Sequence, residues 1–386
     1  MKQIAEDIFY VGVDDNKLDL FEGQFVIPDG VSYNSYVIMD EKIAVIDSVD
    51  AKFGEEWLNN LEEVLGGRKL DYLVIQHMEP DHSASVRLFT DKYPEAQVVG
   101  NQKTFVMLGG YFGEGFPSNQ VVVKEGETLS FGKHAIRFIM APMVHWPEVM
   151  FSYDTATNTL FSADAFGKFG VLAKEQKNWQ DEARRYYFGI VGKYGAQVKA
   201  VFTKIGSLDI DMIAPLHGPV LSGEQLSSAI HYYKKWAAYT PEVPGVLIAC
   251  SSIYGHTLEA AKLLKEELEK RGQNVVLIDL IRRDWADSIA LAFRYPKLVV
   301  AATTYNGEIF PAARNFINGL AERNYQWRTV GFIENGSWAP VCAKQMRAKL
   351  EECKNLTFTE TTVKIRCAVN EQNRAEISAL ADELSK

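Results

Sequence analysis

Short apolar runs alternate with polar segments along the whole chain, and the character of this alternation changes near residue 240. Before that point, short apolar runs are separated by glycine-containing turns, a pattern typical of β-strands. After it, apolar runs alternate with amphipathic segments. Residues 257–271 are an example, because Leu258, Ala261, Leu264 and Leu268 recur at helical spacing and Gly272 follows as a helix stop. The two parts of the chain therefore predict two different architectures.

The second part is predicted to be a doubly wound, parallel α/β sheet. Strands that alternate with helices require crossover connections, and these place successive strands parallel to one another. The predicted strands lie at residues 246–249, 275–278, 298–301, 330–333 and 362–365.

The best candidate for a linker is the segment 238–245. Pro241, Pro244 and Gly245 interrupt the pattern between a predicted helix at 226–238 and the strand at 246. We therefore expect one domain over residues 1–243 and a second over residues 244–386.

Composition and charge narrow the class of protein. The chain has 386 residues, of which 47% are hydrophobic and 24% are charged, and its net charge is −9. An acidic chain lacks the basic surface that nucleic-acid phosphates require. No apolar run approaches the roughly 20 residues that span a bilayer, and the first residues resemble no signal peptide. These features predict a cytoplasmic protein that binds neither nucleic acid nor membrane.

The spacing of the four cysteines indicates whether the chain contains an additional iron site bound by thiolates. Cys250, Cys342, Cys353 and Cys367 form no C-x-x-C pair. The spacing therefore predicts reduced thiols and excludes an appended iron site with two C-x-x-C hooks.

The strongest chemical feature is the run His77-Met78-Glu79-Pro80-Asp81-His82, which begins one residue after a predicted buried strand at 73–75. If the run is extended, alternation places His77, Glu79 and Asp81 on one side, and His82 can turn into the same pocket. Four metal-binding side chains within six residues predict a metal site.

Three further candidate ligands occur singly, at His145, Asp164 and His217, and the last two follow apolar runs that suggest strand ends. Seven ligands are too many for one metal but suit two metals that share a bridging carboxylate. Mixed carboxylate and imidazole ligands suit iron, whereas zinc favours imidazole and thiolate. Zinc hydrolases with a comparable cluster carry His-x-His-x-Asp-His, and Glu79 at the middle position favours a pair of irons.

The second part carries a candidate phosphate loop at residues 251–257, between its first strand and first helix. Hydroxyl groups, a glycine and a helix N-terminus together form an anion cradle. Two more loops follow neighbouring strands, where an open α/β sheet binds its ligand, and their aromatic side chains can flank a flat ring such as a flavin. The predicted cofactor-binding residues are Ser252, Ile253, Tyr254, Gly255, His256, Thr257, Thr303, Thr304, Tyr305, Asn306, Gly307, Asn335, Gly336, Ser337 and Trp338.

Over essentially its whole length the chain resembles the flavodiiron proteins, also called A-type flavoproteins. The first part resembles a metallo-β-lactamase-like αββα sandwich, and the second resembles flavodoxin, with residues 252–257 matching its phosphate loop. The third loop, residues 334–338, departs from the commoner Gly-Ser-x-Gly-Trp pattern. The resemblance thus implies an α/β fold with a di-iron domain followed by an FMN domain.

The resemblance also implies roles for individual residues. One iron would be held by His77, Glu79 and His145, the other by Asp81, His82 and His217, and Asp164 would bridge them. His82 is the ligand that some members of the family leave unused. The family also places aromatic residues near the metals. Tyr194 occupies such a position, where it either donates a hydrogen bond to a metal ligand or only packs against its neighbours.

The implied activity is the reduction of O2 to water, of NO to N2O, or of both, with electrons from rubredoxin or a similar carrier through FMN. The implied assembly is a head-to-tail homodimer or a tetramer built from it. Two alternatives stay open. One is a zinc hydrolase fused to a flavodoxin-like domain, and the other is an electron-transfer protein whose metal site is idle.

Several other residues have a plain structural interpretation. His134 and His231 are expected to be structural or exposed, and Trp146 packs either in the core or beside the metals. Lys168 and Lys174 are interpreted as surface lysines, with docking of an acidic carrier as the alternative.

Overall fold

The computed structural model describes residues 2–174 and 179–386. The chain divides into two compact units, Met1–Lys234 and Lys235–Lys386. The division falls within the helix Gly223–Ala237, whereas the domain boundary expected from the sequence at residues 243 and 244 stays a prediction.

The first unit contains mostly short strands. In chain order they are β1 Lys2–Ala5, β2 Ile8–Tyr10, β3 Val13–Asp15, β4 Leu20–Phe21, β5 Phe25–Val26, β6 Val31–Tyr33, β7 Tyr36–Ile38, β8 Ala44–Ile46, β9 Tyr72–Val74, β10 Gln97–Gly100, β11 Gln120–Val122, β12 Thr128–Ser130, β13 Ala135–Met140, β14 Met150–Asp154, β15 Thr159–Phe161, β16 Met212–Ala214 and β17 Leu221–Ser222.

The helices of this part are α1 Gly54–Leu65, α2 Pro80–Ser83, α3 Val86–Lys92, α4 Gln102–Phe112, α5 Trp179–Tyr186, α6 Gly195–Ile205 and α7 Gly223–Ala237. Short 3-10 segments lie at Ala51–Phe53 and Gly192–Tyr194, and a π-helical turn at Tyr187–Val191 follows α5.

Two mixed sheets form the centre of the first unit. One has the strand order β1-β2-β7-β8-β9-β10-β11, and the other has the order β12-β13-β14-β15-β16-β17. Side chains from both sheets share one buried cluster, in which Ile46 and Val74 of the first sheet join Phe138 and Phe161 of the second. The apolar faces of the strands therefore pack into a sandwich, because each sheet can remove its inner face from water only against the other.

Strand direction decides where polar residues gather in this sandwich. β8, β9 and β10 run parallel in the first sheet, and β15 runs parallel to β16 in the second. Parallel strands that are neighbours end at the same edge of a sheet. The loop after β9 therefore leaves one edge of the first sheet, and the loops after β15 and β16 leave one edge of the second.

The second unit has one sheet, which is parallel except for one short strand. Its strands are β18 Val246–Cys250, β19 Val275–Asp279, β20 Lys297–Tyr305, β21 Glu308–Ile309, β22 Arg328–Asn335 and β23 Leu356–Ile365. Its helices are α8 His256–Lys270, α9 Trp285–Arg294, α10 Pro311–Glu322, α11 Cys342–Leu350 and α12 Glu371–Leu384. The strand order is β19-β18-β20-β22-β23, with β21 paired to β20. This is the 2-1-3-4-5 order of flavodoxin-like folds.

All four pairings along this path are parallel, as the alternation of strands and helices predicts. The buried strand β18 and helices α8 and α12 share a cluster that includes Ile248, Leu264 and Leu380. No helix in the described ranges combines the length and apolar character needed to cross a membrane.

Candidate metal centre and flavin cavity

The candidate ligands lie on loops that leave strand ends in both sheets of the first unit. His77 follows β9 after a short connection, Asp164 follows β15, and His217 follows β16. His145 lies between β13 and β14. The sandwich therefore brings together side chains that lie far apart in the chain.

The expected extended run at 77–82 is wrong in its second half. Pro80 begins the helical turn α2, with Glu79 as the N-cap residue, so Asp81 and His82 lie on a helix rather than on an extended strand. Proline favours this outcome because its fixed φ angle suits the first position of a helix. The turn separates the run into two pairs of ligands that face different partners.

The seven side chains form two groups, and within each group one potential ligand atom per residue lies within 4.8 Å of the others. The first group contains His77, Glu79, His145 and Asp164, and the second contains Asp81, His82 and His217.

Asp164 faces both groups with different oxygens. Its Oδ2 lies 3.0 Å from His145 Nε2 and 3.6 Å from His77 Nε2. Its Oδ1 lies 3.3 Å from His82 Nε2 and 3.9 Å from His217 Nε2. A carboxylate that offers one oxygen to each of two groups has the geometry of a bridging ligand.

Two imidazole pairs converge in the same way. The Nε2 atoms of His77 and His145 are 3.2 Å apart, and those of His82 and His217 are 3.0 Å apart. Both oxygens of Asp81 and the Oδ1 of Asp164 are buried without a hydrogen-bond partner among the described residues. Buried carboxylate oxygens are normally hydrogen-bonded or bound to a metal. The donor set therefore fits two metal ions.

The charges in this cluster depend strongly on one another. Burial would raise the pKa of Asp164, but His77, His145 and His82 hold it well below its usual value. Burial raises the pKa of Asp81 to about 7, and burial together with His82 lowers the pKa of His217 to about 4. A neutral His217 is the form that can bind a metal through Nε2.

The orientation of two ligand rings is set by hydrogen bonds from Nδ1. His77 Nδ1 lies 2.8 Å from Glu148 Oε1, and His217 Nδ1 lies 2.7 Å from the carbonyl oxygen of Ser32. Both contacts leave Nε2 facing the metal group. Sequence reasoning missed Glu148, although its position three residues after His145 was the available indication.

A second missed carboxylate, Asp47, holds the backbone that carries His77. Its Oδ1 accepts the N–H groups of Gln76 at 2.8 Å and His77 at 3.3 Å. Gln76 in turn donates its side-chain amide to the carbonyl of Phe161, at the end of β15. These bonds join the loops of the two sheets on either side of the ligands.

Aromatic rings surround the two groups. Trp146 lies with its ring centroid 5.3 Å from that of His77, and Phe21 lies 5.4 Å from His217. Tyr186 lies 5.6 Å from His217 and is buried. Tyr194 is half-buried immediately before α6, and a role for it stays a prediction.

The remaining histidines and lysines divide between buried and exposed positions. His134 is buried and pairs with Asp154 at 3.0 Å, whereas His231 is exposed. Lys168 is only 4% exposed, so the expectation of a surface lysine is wrong for it, because the loop after β15 turns its stem against Gly218. Lys174 is exposed and pairs with Asp29.

The second unit contains a cavity of about 570 Å³ at the strand ends, within the range of small-ligand sites. Of the predicted cofactor residues, all except Gly255 line it. The lining residues are Ser252, Ile253, Tyr254, His256, Thr257, Thr303, Thr304, Tyr305, Asn306, Gly307, Asn335, Gly336, Ser337, Trp338 and Cys367.

Gly255 instead shapes the loop. It is the N-cap residue of α8, with φ of +96° and no side-chain cap, and the N–H of Gly255 donates to Ser252 Oγ at 3.1 Å. The first backbone N–H groups of α8 therefore have no capping side chain, which suits a phosphate at this end of the helix. Thr257 and Thr303 share a hydroxyl hydrogen bond of 3.0 Å across the cavity wall.

The rim of the cavity is aromatic. Tyr254 is 90% exposed and Trp338 is 74% exposed, and exposed aromatic side chains gathered at the rim of a cavity are typical of a site that a ligand or partner covers. Cys367, which follows β23, is a lining residue that sequence reasoning missed. The observed cavity fits a phosphate-bearing flat ring such as FMN.

The fold and the site define a class of protein that joins a metallo-β-lactamase-like domain with two groups of metal-binding side chains to a flavodoxin-like domain. The family model described as ODP family beta lactamase matches residues 31–218. Nitric oxide reductase of Moorella thermoacetica is 31% identical over 326 residues, which are 82% of this chain and 81% of that protein.

Solved structures agree with this comparison. The flavodiiron protein from Giardia intestinalis has a TM-score of 0.94 with 24% identity, covering 100% of this chain and 95% of that chain. Rubredoxin oxygen:oxidoreductase from the anaerobe Desulfovibrio gigas has a TM-score of 0.92 with 25% identity, covering 100% and 97%. A diflavin flavoprotein among the curated relatives is longer, and the match covers 48% of it.

The chain belongs to the flavodiiron protein family, and it is an oxidoreductase of that family. The predicted fold class, a metallo-β-lactamase-like sandwich followed by a flavodoxin-like sheet, is confirmed.

Proposed function

We propose that this protein reduces O2 to water, NO to N2O, or both, at a non-haem di-iron centre that receives electrons through FMN. The observation that carries the proposal is Asp164, whose two oxygens face two separate groups of ligands. The names of two similar proteins, a nitric oxide reductase and a rubredoxin oxygen:oxidoreductase, support the choice of substrates.

Each of the two metals would have its own set of ligands. His77, Glu79 and His145 would hold one iron, and Asp81, His82 and His217 the other, with Asp164 shared between them. When bound by these residues, two irons with open positions would supply a binding site for a diatomic molecule and electrons for its reduction.

The surrounding residues keep this centre in place and dry. Glu148 and the Ser32 carbonyl fix the rings of His77 and His217. Trp146, Phe21 and Tyr186 pack their rings against the imidazoles. They exclude bulk water from one side of His77 and of His217, which strengthens the electrostatic interactions inside the site.

FMN would occupy the cavity of the second unit. The uncapped N-terminus of α8 and the hydroxyl groups of Ser252 and Thr257 would bind the phosphate, and Tyr254 and Trp338 would border the ring system. We propose a one-electron carrier such as rubredoxin as the donor, since a flavin can accept electrons singly and pass them on.

The head-to-tail homodimer also remains a proposal. Sedimentation of the FMN- and iron-loaded protein would test it, with a dimer or a tetramer as the expected species and a monomer with full activity as the contrary result.

The activity is tested by measuring consumption of O2 and, separately, of NO by the protein loaded with iron and FMN, with chemically reduced rubredoxin as the electron donor. We expect turnover that disappears in Asp164→Ala. A protein that holds zinc and hydrolyses ester or lactam bonds, but consumes neither gas, would replace this proposal with the hydrolase alternative.

A further inference from the structure

The two groups of ligands differ in the hydrogen-bond partners of their imidazole Nδ1 atoms. In the first group, His77 Nδ1 lies 2.8 Å from a carboxylate oxygen of Glu148. In the second group, His217 Nδ1 lies 2.7 Å from the neutral carbonyl oxygen of Ser32. The Nδ1 of His82 has no hydrogen-bond partner among the described residues. A carboxylate is therefore hydrogen-bonded to a ring of the first group, whereas neither ring of the second group has a carboxylate on its Nδ1 among the described residues.

Glu148 is held firmly in this position. Its side chain is fully buried, and its Oε1 also accepts the backbone N–H of Met78 at 2.9 Å. Its own carbonyl accepts a hydrogen bond from the side chain of Asn101, the residue that caps α4 through the N–H groups of Lys103 and Thr104. Glu148 is thus fixed through both its backbone and its carboxylate, and the carboxylate cannot turn away from His77 without also losing its bond from Met78.

A buried carboxylate in this place has an electronic consequence. A carboxylate that accepts the Nδ1 proton makes the imidazole a stronger donor through Nε2 and fixes its tautomer. The effect is not screened by water here, because both side chains are buried. A stronger donor stabilises the more oxidised state of the ion that it binds.

We propose that Glu148 is a positioning residue that makes the two metal positions electronically unequal, favouring the oxidised state of the ion held by His77, Glu79 and His145. This inference rests on the proposed di-iron function. When one electron from a reductant such as dithionite enters the oxidised centre, one ferric ion becomes ferrous. That ion is the one held by Asp81, His82 and His217.

The direct test is a redox titration of the iron-loaded holoprotein, followed by electron paramagnetic resonance of the one-electron-reduced state. In Glu148→Gln the amide keeps the shape but removes the charge. We expect the second reduction step to move to higher potential while the first changes little, so that the one-electron-reduced signal loses amplitude. Equal shifts of both steps, or no shift, would overturn the proposal.

Two variants separate charge from packing. Glu148→Asp keeps the carboxylate, and we expect the gap between the two reduction potentials to stay close to that of the unchanged protein. A gap as narrow as the one expected for Glu148→Gln would overturn the proposal. Asp154→Asn is the matched control, because Asp154 is also buried and pairs with a histidine, His134, at 3.0 Å, but lies outside both groups of ligands. A narrowing of equal size in that variant would also contradict a specific role for Glu148.

Metal affinity gives a second readout. Removing a hydrogen-bond partner of a metal ligand lowers metal affinity by about 10- to 100-fold. We expect the iron affinity of Glu148→Gln to fall by this factor, as measured by dialysis against a chelator.

A measurement on the unchanged protein covers the case in which Glu148→Gln does not fold. In the zinc-loaded, ¹⁵N-histidine-labelled protein, we expect the Nδ1 proton of His77 to resonate clearly downfield of that of His217. Equal shifts would overturn the proposal. Iron analysis of the unchanged protein tests the proposed function separately, since the zinc-loaded sample reports on Glu148 whether or not iron is the natural metal.

Discussion

The two oxygens of Asp164 face different imidazoles, with Oδ2 3.0 Å from His145 Nε2 and Oδ1 3.3 Å from His82 Nε2. Burial alone would make an ionised carboxylate costly here, but the surrounding imidazoles keep its pKa well below the usual value. Asp164 is therefore available as an anion that two metal ions can share.

Replacing this residue should affect both metals. In Asp164→Asn the amide nitrogen cannot serve as an anionic ligand, so we expect the metal content to fall from about two ions per chain to about one or fewer. Elemental analysis after gel filtration measures this.

Asp154→Asn is the matched control for that experiment. Asp154 is also fully buried and pairs with a histidine, His134, at 3.0 Å, but it lies outside both groups of ligands. Its metal content should match that of the unchanged protein. Equal metal loss in both variants would show that Asp164 acts through general stability.

Two buried tyrosines provide a second prediction at this scale. The hydroxyl of Tyr233 accepts the N–H of Phe166, whereas the hydroxyl of Tyr186 has no hydrogen-bond partner among the described residues. Tyr233→Phe leaves a buried N–H unsatisfied and should cost about 1–3 kcal/mol of unfolding free energy.

Tyr186→Phe should stay within about 0.5 kcal/mol of the unchanged protein. Denaturant unfolding of the metal-free protein compares the two variants. A larger loss in Tyr186→Phe would mean that its hydroxyl has a partner that stabilises the fold.

At the scale of elements, the second unit was predictable from the sequence because each strand and helix there carries its own period. The helix expected at 257–271 is observed as His256–Lys270, and the strand expected at 246–249 as Val246–Cys250. Local patterns also placed the loops of the cavity, since these loops directly follow strands in a parallel sheet.

The metal centre was less accessible to such reasoning. The ligand types were visible, but Pro80 turned the expected extended run into a helix and so divided Asp81 and His82 from His77 and Glu79. Glu148 and Asp47 were missed because their roles depend on hydrogen bonds to His77 that form only when distant loops meet.

The N-terminus of α8 gives the prediction at this scale. Gly255 has φ of +96°, and the space that a Cβ would enter at this position is open. Gly255→Ala therefore adds backbone strain of about 1–2 kcal/mol without a clash. The strain would shift the first turn of α8, and we expect weaker FMN binding, measured by fluorescence quenching of added FMN.

Gly272→Ala serves as the control, since Gly272 also has a positive φ of +77° and open space, but follows the other end of α8. Both variants should lose similar stability, and only Gly255→Ala should lose FMN affinity. Equal loss of FMN affinity would argue against a phosphate at this helix end.

At the scale of the whole molecule, the chain consists of two compact units, each with its own buried core. The two groups of metal-binding residues lie in the first unit and the flavin cavity lies in the second. A ligand that binds only the folded form stabilises the unit that binds it.

We therefore expect metal removal and flavin removal to affect different parts of a thermal unfolding curve. Free metal at about 100 times its Kd contributes about 2.7 kcal/mol, so chelation should lower the unfolding temperature of the first unit. Hydrogen exchange followed by peptide mass analysis locates the change. Loss of protection mainly within residues 244–386 after chelation would contradict this assignment.

The most direct test of the central claim is the metal and flavin content of protein purified without oxygen, with Mössbauer spectroscopy of the iron. We expect about two irons and one FMN per chain, with the irons magnetically coupled through a shared ligand. Zinc in place of iron, or iron that shows no coupling, would contradict a bridged di-iron centre.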